Sequence, residues 1–549
     1  MTDQAAGRPV RYQIALVFIL FLGLAIVHTW PLATDLGRLS RVDNADTELN
    51  AWAVSWVAHQ LPRDPLHLFD ANIFYPERHT LALSEPILPP AVLAMPLRWA
   101  GASPITTYNV LLITGLALTG LGMYVLVLRV TGDVTAGVLA GCLLAFNAHI
   151  LTRFPHLQAF HAQWLPLALW ALDRALLGGT RRDLFWLSLF CLMAALTSGY
   201  LGVFVGTAVT CAIVARADLC ARPGGARLLG RLALAGLAAV VVAAVVLWPY
   251  AGLGGGESVR RPMELIAGYS ANLSTYLSTG GRLHYAVWSH RFYQAGTDSL
   301  FPGVAALVLA GFGVAHWSDR GRVRMFLLVG IAGLVLSLGP ATPVYRWVYT
   351  LLPPVQAIRV ASRFGYLALF AVAALGGLGL AGWRRRIASE AWALRIGIVV
   401  ILIANIEAMR APVGYTPFEG FSPIYEMISE TPEVGVIAEF PFHTPARAEL
   451  NGPYVLSSTV HWKPLLNGYS GIVPTSYVEM SRRLERFPAD ASIDTLREAG
   501  VTHVVVHPSQ YDRYDVGKSA SEMLGAVTDQ RALELVAEDS AGSRLYRIR

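Results

Sequence analysis

The chain has 549 residues, a mean hydropathy of +0.48 and 54% hydrophobic residues. This composition excludes an ordinary soluble enzyme and is typical of a protein that lies largely within a lipid bilayer. The net charge of +6 is the sum of two parts of opposite charge. Residues 411–549 hold 12 Lys and Arg against 18 Asp and Glu, a net charge of −6, and residues 1–410 hold 31 against 19, a net charge of +12. The basic charge of the first part fits loops facing the cytoplasm and anionic lipid, and not a nucleic-acid partner.

Apolar segments of about twenty residues predict about eleven transmembrane helices within residues 1–410. They lie near 13–31, 107–129, 132–149, 158–177, 183–199, 200–216, 229–250, 299–316, 324–340, 364–382 and 393–410. If the N-terminus is cytoplasmic, the turns after helices two, four, six, eight and ten are cytoplasmic too, and every one of them carries arginine, as the positive-inside rule requires. The same parity places four loops and the C-terminal tail outside: 32–106, 150–157, 251–298, 341–363 and 411 onward. The apolar segment 86–99 is short and broken by proline, so we interpret it as surface-lying or re-entrant.

The tail has the pattern of a small α/β domain. Residues 434–440 and 501–506 are predicted strands, 492–500 a helix, and 533–548 a hairpin around 540–542. The predicted fold class is therefore a polytopic α-helical membrane protein with a C-terminal extracytoplasmic α/β domain. Its predicted parts are a transmembrane module at 1–410, a proline-rich linker at 411–432 and the tail domain at 433–549.

The first outer loop concentrates acidic residues just after the first apolar segment. Asp43, Asp46 and Glu48 fall within six positions, and Asp46 is expected to cap a helix that starts there. One interpretation is a solvated, capped loop helix; the other is a carboxylate at the water–membrane boundary that acts as a general base or metal ligand. Glu85 borders the apolar segment 86–99, where it is either exposed or partly desolvated. Trp52 belongs to a set of aromatic residues typical of an interfacial belt or of a surface that stacks on sugars.

Basic and polar residues accumulate on the same predicted outer side, against the cytoplasmic bias for positive charge. They are Arg153, His156 and Gln158 after helix three, Arg260 and Arg261 in the 251–298 loop, and Arg359 and Arg363 before helix ten. The spacing of the last two would place them on one helical face. Guanidinium groups bind phosphate bidentately, so a phosphate or pyrophosphate is one natural partner. Pairing with the outer carboxylates is the other.

These stretches resemble the GT-C superfamily of membrane glycosyltransferases, and in particular a group of bacterial members whose substrates are unassigned. The likeness covers most of residues 10–410 and rests on Asp46-Thr47-Glu48-Leu49-Asn50-Ala51-Trp52, on Phe74-Tyr75-Pro76 to Ser84-Glu85-Pro86, on His156-Leu157-Gln158 and on Arg359-Val360-Ala361-Ser362-Arg363-Phe364. It implies that Asp46, with Asp43 second, is the catalytic base or a metal-linked acid. It also implies that outer basic residues hold the phosphate of a lipid donor. A divalent cation (Mg²⁺ or Mn²⁺) at Asp43 and Asp46 is a candidate cofactor, although the loop has no compact Asp-x-Asp pair.

The function that this resemblance implies is transfer of a sugar from a polyprenyl-phosphate or polyprenyl-diphosphate donor. The expected acceptor is a glycan, lipid or protein of the cell envelope, on the outer face of the cytoplasmic (inner) membrane. Asp46, Asp43 and Glu85 are the expected catalytic residues, and the seven basic and polar residues above, together with Trp52, are expected to bind substrate. Two alternatives stay open: a transporter or flippase for a lipid-linked glycan, and a non-catalytic scaffold of an envelope assembly machine. The absence of an internal repeat disfavours the transporter.

Overall fold

The computed structural model describes residues 11–256, 260–294, 297–514 and 517–549. They form two compact units that alternate along the chain. Of the described residues, those up to 34 and those within 110–414 form the first unit, and those within 35–109 and 415–549 form the second. The first outer loop therefore belongs to the same unit as the tail, a grouping that differs from the predicted division at 410. The ten N-terminal residues, predicted to be cytoplasmic, lie outside the described part.

The first unit is helical. Its α-helices are Arg11–His28, Pro104–Thr131 (from Val110 onward), Val134–Ala145, Ala148–Leu151, Leu157–Phe160, Trp164–Leu176, Arg181–Thr197, Gly199–Ala215, Ala217–Cys220, Gly225–Val246, Met263–Gly268, Leu273–Tyr276, Arg282–Val287, Val304–His316, Arg320–Ser337, Pro343–Leu351, Pro353–Gln356, Gly365–Arg384 and Glu390–Ala408.

Among the described residues, six helical segments are long and apolar enough to cross a membrane. They are Arg11–His28, Pro104–Thr131, Val134–Leu151, Gly225–Val246, Ala361–Arg384 and Glu390–Ala408, and two shorter apolar helices are Gly199–Ala215 and Val304–His316. The predicted multi-pass helical architecture is confirmed, whereas the count of eleven spans stays a prediction.

Small residues allow the helices of this unit to approach closely. A Cβ on Gly313 would lie 2.3 Å from the Leu375 carbonyl oxygen, and one on Gly379 would lie 1.9 Å from the Leu309 carbonyl oxygen. Helices Val304–His316 and Gly365–Arg384 therefore pack backbone to backbone, as is common where lipid removes the usual hydrophobic driving force.

Three of the predicted cytoplasmic turns meet at one buried carboxylate. Asp173 is fully buried, and both of its oxygens accept from Arg322, at 2.9 and 2.8 Å. Arg129 and Arg216 approach the same carboxylate at 3.5 and 3.9 Å. The arginines that follow predicted helices two, six and eight thus share one end of the helix bundle, as the charge pattern predicted. The side of the membrane that this end faces stays a prediction.

The second unit is mixed α/β. Its helices are Ala45–Gln60, Leu88–Trp99, Pro423–Glu430, Gly452–Ser457, Thr475–Arg483, Asp490–Glu498, Pro508–Arg513 and Ala520–Asp529. Its strands are β1 (Leu39–Ser40), β2 (Thr416–Pro417), β3 (Val436–Phe440), β4 (Val501–Val506), β5 (Leu533–Glu538) and β6 (Arg544–Ile548). Strand β1 pairs with β2, and the other four form a sheet in the order β3-β4-β6-β5, with β3 and β4 parallel and the remaining pairs antiparallel. The predicted strands and hairpin of the tail are confirmed. The predicted linker 411–432 contains β2 and the helix Pro423–Glu430.

The sheet carries a buried polar network on its parallel strands. Glu439 of β3 is completely buried and accepts from the Tyr425 hydroxyl at 2.7 Å, while His507, just after β4, lies 2.7 Å from the same carboxylate oxygen. Buried charges are tolerated when they are paired and hydrogen-bonded, so this network ties the helix Pro423–Glu430 to the sheet.

Candidate active site

The acidic stretch of the first outer loop forms the start of the helix Ala45–Gln60 in the second unit. Asn44 is the N-cap, and its side-chain oxygen accepts from the Asp46 backbone N–H at 2.9 Å. The prediction that Asp46 caps this helix is therefore wrong, because Asn44, two residues earlier, is the N-cap. Asp46 instead lies half-buried in the first turn, where the helix dipole favours negative charge.

The Asp46 carboxylate is bonded to a residue of the tail. The Tyr469 hydroxyl donates to Asp46 Oδ1 at 2.7 Å, although the two residues are 423 positions apart. The sequence presents Tyr469 only as part of an Asn-Gly-Tyr-Ser-Gly stretch, which is ordinary turn punctuation. Its position beside the acidic helix could not be inferred from spacing.

The structure gives the other two predicted catalytic acids, Asp43 and Glu85, different surroundings from those of Asp46. Asp43 is exposed, and its carboxylate accepts from Arg41 at 2.9 and 3.2 Å. Glu85 is half-buried just before the helix Leu88–Trp99. Among the described residues no group of three His, Cys, Asp or Glu side chains is placed to hold a metal ion. Because the Asp43 carboxylate is paired with Arg41, the acidic residues at this position do not fit a cation shared by Asp43 and Asp46.

Glu48 is the most deeply buried acid of this stretch. Only 6% of the residue is exposed, and burial raises the pKa of Glu48 from 4.5 to about 8. Its carboxylate rests against the backbone of Gly452, where a Cβ would lie 2.2 Å from Glu48 Oε2. Glu48 is thus predominantly protonated at neutral pH, two positions from Asp46.

Trp52 does not have the exposure that its predicted substrate-binding role requires. It is 1% exposed, and its indole N–H donates to Asn72 Oδ1 at 3.1 Å. The ring is a core element of the second unit, because residues 47–58 of the Asp46 helix are all buried. A ring in this position cannot stack on a sugar.

In the first unit, a buried aspartate organises part of the predicted basic region. Asp298 lies 3.5 Å from His149 Nδ1 and 3.5 Å from Arg153 Nη1, and it also accepts from the Ser362 hydroxyl. Burial raises the pKa of Asp298, but the charges of His149, Arg153 and Arg363 and the Ser362 hydrogen bond outweigh it and lower the pKa to about 2. Asp298 is therefore a permanent anion at neutral pH.

Arg359 and Arg363 flank this cluster on a short irregular segment. Arg363 belongs to the 3₁₀ helix Ala361–Phe364 and stacks on the Tyr200 ring at 4.7 Å, whereas Arg359 stacks on the Tyr269 ring at 5.4 Å. The Tyr200 hydroxyl accepts from the Arg359 backbone N–H at 3.2 Å. The two arginines therefore do not lie on one face of an α-helix, as their spacing suggested, because the helix Gly365–Arg384 begins only after them.

His156 and Gln158, two of the predicted substrate-binding residues, are both largely buried. Burial lowers the pKa of His156 well below its usual range, and the charges of Arg153, Arg363 and Arg359 lower it further, so His156 is a neutral imidazole within the cationic group. Gln158 is 9% exposed.

Arg260 and Arg261 are anchored by a tyrosine. Arg260 donates to the Tyr349 hydroxyl at 3.1 Å, and that hydroxyl donates to the Arg261 carbonyl at 2.8 Å. Burial lowers the pKa of Arg261, and the charge of Arg359 lowers it further. Arg261 is therefore close enough to Arg359 for the two charges to interact. Arg260 instead stacks on the Tyr349 ring, 5.5 Å from its centroid.

We call Arg153, Arg261, Arg359 and Arg363 the arginine cluster. Asp298 is its buried counter-ion among the described residues, so the cluster carries excess positive charge. Planar guanidinium groups held on tyrosine rings are pre-organised to bind a phosphate group. The half-buried Asp46 of the second unit has the chemistry of a general base.

The chain as a whole has the GT-C fold, in agreement with the resemblance found in its sequence. The arabinofuranosyltransferase AftD from Mycobacteria matches 99% of this chain with a TM-score of 0.57 at 16% identity. The match covers 40% of the AftD chain, so this chain spans about two fifths of that enzyme's length.

Two further GT-C structures align over nearly all of this chain. The oligosaccharyltransferase AglB from Archaeoglobus fulgidus, in complex with an inhibitory peptide and a dolichol-phosphate, has a TM-score of 0.47 at 14% identity and covers 98% of this chain and 74% of its own. ArnT from Cupriavidus metallidurans, bound to undecaprenyl phosphate, has a TM-score of 0.49 at 13% identity over 98% of each chain. No family model and no curated protein sequence matches the chain.

Proposed function

We propose that this protein is a glycosyltransferase that takes a sugar from a polyprenyl-phosphate or polyprenyl-diphosphate donor. The acceptor is a glycan, lipid or protein of the cell envelope, and the reaction takes place on the outer face of the cytoplasmic membrane. The observation that carries this proposal is the arginine cluster, in which Arg153 and Arg363 act on the buried carboxylate of Asp298 and the charge of Arg359 acts on Arg261. The fold shared with AftD supports the general kind of reaction.

In this mechanism the arginine cluster binds the phosphate of the donor. Negative charge grows on that phosphate as the bond between the sugar and its oxygen breaks. Arg359 and Arg363 stabilise that charge most directly, because tyrosine rings hold their guanidinium groups in place before the reaction. Asp298 compensates part of the positive charge, which keeps the cluster stable without the donor.

Asp46 is the general base in this proposal. It accepts the proton of the acceptor hydroxyl as that oxygen attacks the anomeric carbon, a role that contributes typically about 10²–10⁴-fold to the rate. Its place in the first turn of a helix and its hydrogen bond to Tyr469 orient the carboxylate. Glu48, which is protonated at neutral pH, is not a candidate for this task.

Donor binding tests the proposal at the arginine cluster. Full-length protein in lipid nanodiscs is titrated with radiolabelled polyprenyl-phosphate sugars, and Arg363→Gln is compared with Arg346→Gln. Arg346 is exposed in the same outer loop, and its side chain donates to the Pro340 carbonyl at 2.9 Å. A charge-assisted hydrogen bond contributes about 1.5–3 kcal/mol, so Arg363→Gln is expected to weaken binding about 10–100-fold. Equal affinities for both variants would contradict the assignment.

A further inference from the structure

A segment of the tail contacts both ends of the Asp46 helix within the second unit. At the C-terminal end of the helix, the ring of Trp462 stacks on His59 with the centroids 4.2 Å apart. At the N-terminal end, Tyr469 reaches Asp46. The helix rises about 1.5 Å per residue, so about 20 Å separates the levels of His59 and Asp46. Seven residue steps span at most about 25 Å, so the tail segment covers this distance with little slack.

Backbone hydrogen bonds fix the middle of the segment against the first outer loop. The Leu465 N–H donates to the Asn72 carbonyl at 2.8 Å, and the Tyr75 N–H donates to the Leu465 carbonyl at 2.9 Å. The Phe74 N–H donates to the Asn467 carbonyl at 3.0 Å. The segment is therefore paired almost like a strand, and its register against the loop is set before Tyr469 is reached.

The backbone of Gly468, the residue before Tyr469, is tightly packed against its neighbours. A Cβ on Gly468 would lie 2.5 Å from the ring of Phe74, and the Gly468 carbonyl accepts from the Asn451 side chain at 3.0 Å. Only glycine fits this contact without displacement of the neighbouring ring. The backbone that carries Tyr469 is thus held from two directions.

The backbone of Asp46 is equally fixed. Its N–H is bonded to Asn44, and its carbonyl accepts from the Asn50 side chain at 2.6 Å. What the helix leaves open is the rotation of the carboxylate about its side-chain bonds. The hydroxyl of Tyr469, at 2.7 Å from Oδ1, is a direct restraint on that rotation.

We propose that Tyr469 is the positioning residue of Asp46, so that the tail is part of the acid–base machinery and not an appended domain. The inference rests on the proposed function. The hydroxyl of Tyr469 sets the direction from which Asp46 approaches the acceptor hydroxyl, and proton abstraction is sensitive to that direction. The donor phosphate is held by other residues, so Tyr469 affects the rate constant and not donor affinity.

The test compares Tyr469→Phe with Tyr454→Phe in the full-length protein. Tyr454 lies in the same unit, and its hydroxyl donates to Gln510 Oε1 at 3.3 Å and not to Asp46. Tyr469→Phe is expected to lower kcat about 10–100-fold, the range of a hydrogen bond to a charged group, with the KM for the donor changed less than about twofold. Tyr454→Phe is expected to leave both constants within about twofold of wild type. An unchanged kcat in an active Tyr469→Phe protein would overturn the positioning role.

A second arm needs no substrate. Carboxylates are labelled with a water-soluble carbodiimide and an amine, and the modified peptides are quantified by mass spectrometry. Loss of the Tyr469 hydroxyl removes one hydrogen bond from Asp46 Oδ1, so reaction of this carboxylate with the carbodiimide is expected to rise several-fold in Tyr469→Phe. Asp43 is bonded to Arg41 and serves as the internal control, with unchanged labelling.

The two arms distinguish the failure of this inference from failure of the proposed function. Equal labelling of Asp46 in wild type and Tyr469→Phe overturns the restraint whether or not turnover is seen. A wild-type protein that binds donors without turnover rejects the transferase function, and the positioning role with it. Increased Asp46 labelling together with reduced kcat supports both.

Discussion

The buried acid Glu48 gives a prediction whose magnitude follows from the structure. Its pKa in the folded protein is about 8, against 4.5 for the unfolded chain. A carboxyl group whose pKa is raised on folding holds its proton more tightly in the native state, so the wild type loses stability as the pH rises from about 4.5 to about 8. Each pKa unit corresponds to about 1.36 kcal/mol, so the loss between pH 5 and pH 8 is about 3–4 kcal/mol.

The perturbation is Glu48→Gln, which keeps the shape of the side chain but cannot lose a proton. The stability of this variant relative to wild type is expected to increase with pH over the same window. For domains of about 150–250 residues, 1 kcal/mol shifts Tm by about 2–4 °C, so the difference in Tm grows by roughly 10 °C from pH 5 to pH 8. Thermal unfolding followed by intrinsic tryptophan fluorescence at a series of pH values measures it.

Glu77→Gln is the matched control for this experiment. Glu77 is exposed in the same outer loop, so the same chemical change is made where no burial acts on the carboxylate. Its Tm is expected to follow that of the wild type at every pH. A constant difference in Tm between Glu48→Gln and wild type across the whole range would refute the reasoning, because it would mean that Glu48 does not carry a proton in the folded protein.

Three further substitutions test other parts of the structure. Asp298→Asn removes a carboxylate whose pKa is lowered from 3.8 to about 2, so its stabilisation is present above about pH 4 and lost as the pH falls through 2. At pH 7 the variant should lose about 2 kcal/mol of stability, measured by thermal unfolding. It should also bind inorganic pyrophosphate more tightly than the wild type does. Gly468→Ala places a Cβ 2.5 Å from the Phe74 ring and should lower both Tm and turnover, whereas Gly525→Ala, in an exposed helix with open space around it, should not lower either. Glu439→Gln disturbs a completely buried hydrogen-bonded pair and should cost about 1–3 kcal/mol, seen as faster proteolysis of the tail than in wild type.

Local and periodic features of this chain were predictable from its sequence. The β-branched run at 501–506 and the alternation in 533–548 predicted strands β4, β5 and β6. Arginines after alternate apolar segments indicated which turns share an end of the bundle, and Arg129, Arg216 and Arg322 do meet at Asp173. The strand pattern results from the burial of apolar side chains, and the arginine pattern results from the placement of charge at the ends of apolar segments. Both can be recognised within a short stretch of sequence.

Contacts between distant segments were not predictable. The hydrogen bond from Tyr469 to Asp46 joins residues from the two ends of the chain, and no local pattern marks either one as the partner of the other. Trp52 was misjudged because an aromatic residue in a polar loop gives no signal of which helix face will be buried. Asn44 and Asp46 are both good capping residues, and their relative positions at the helix start decided which of them caps.

The central claim is that Asp46 is the base of a lipid-linked sugar transfer, and one side-by-side measurement tests it most directly. Full-length wild type and Asp46→Asn are reconstituted in lipid and supplied with a panel of radiolabelled polyprenyl-phosphate sugars. Donor binding and release of the lipid phosphate are followed in the same samples. The account predicts turnover by the wild type, and turnover at least about 10²-fold lower in Asp46→Asn with donor binding retained. Equal turnover by the two proteins would contradict the role of Asp46, and donor binding without turnover in either would contradict the transferase function itself.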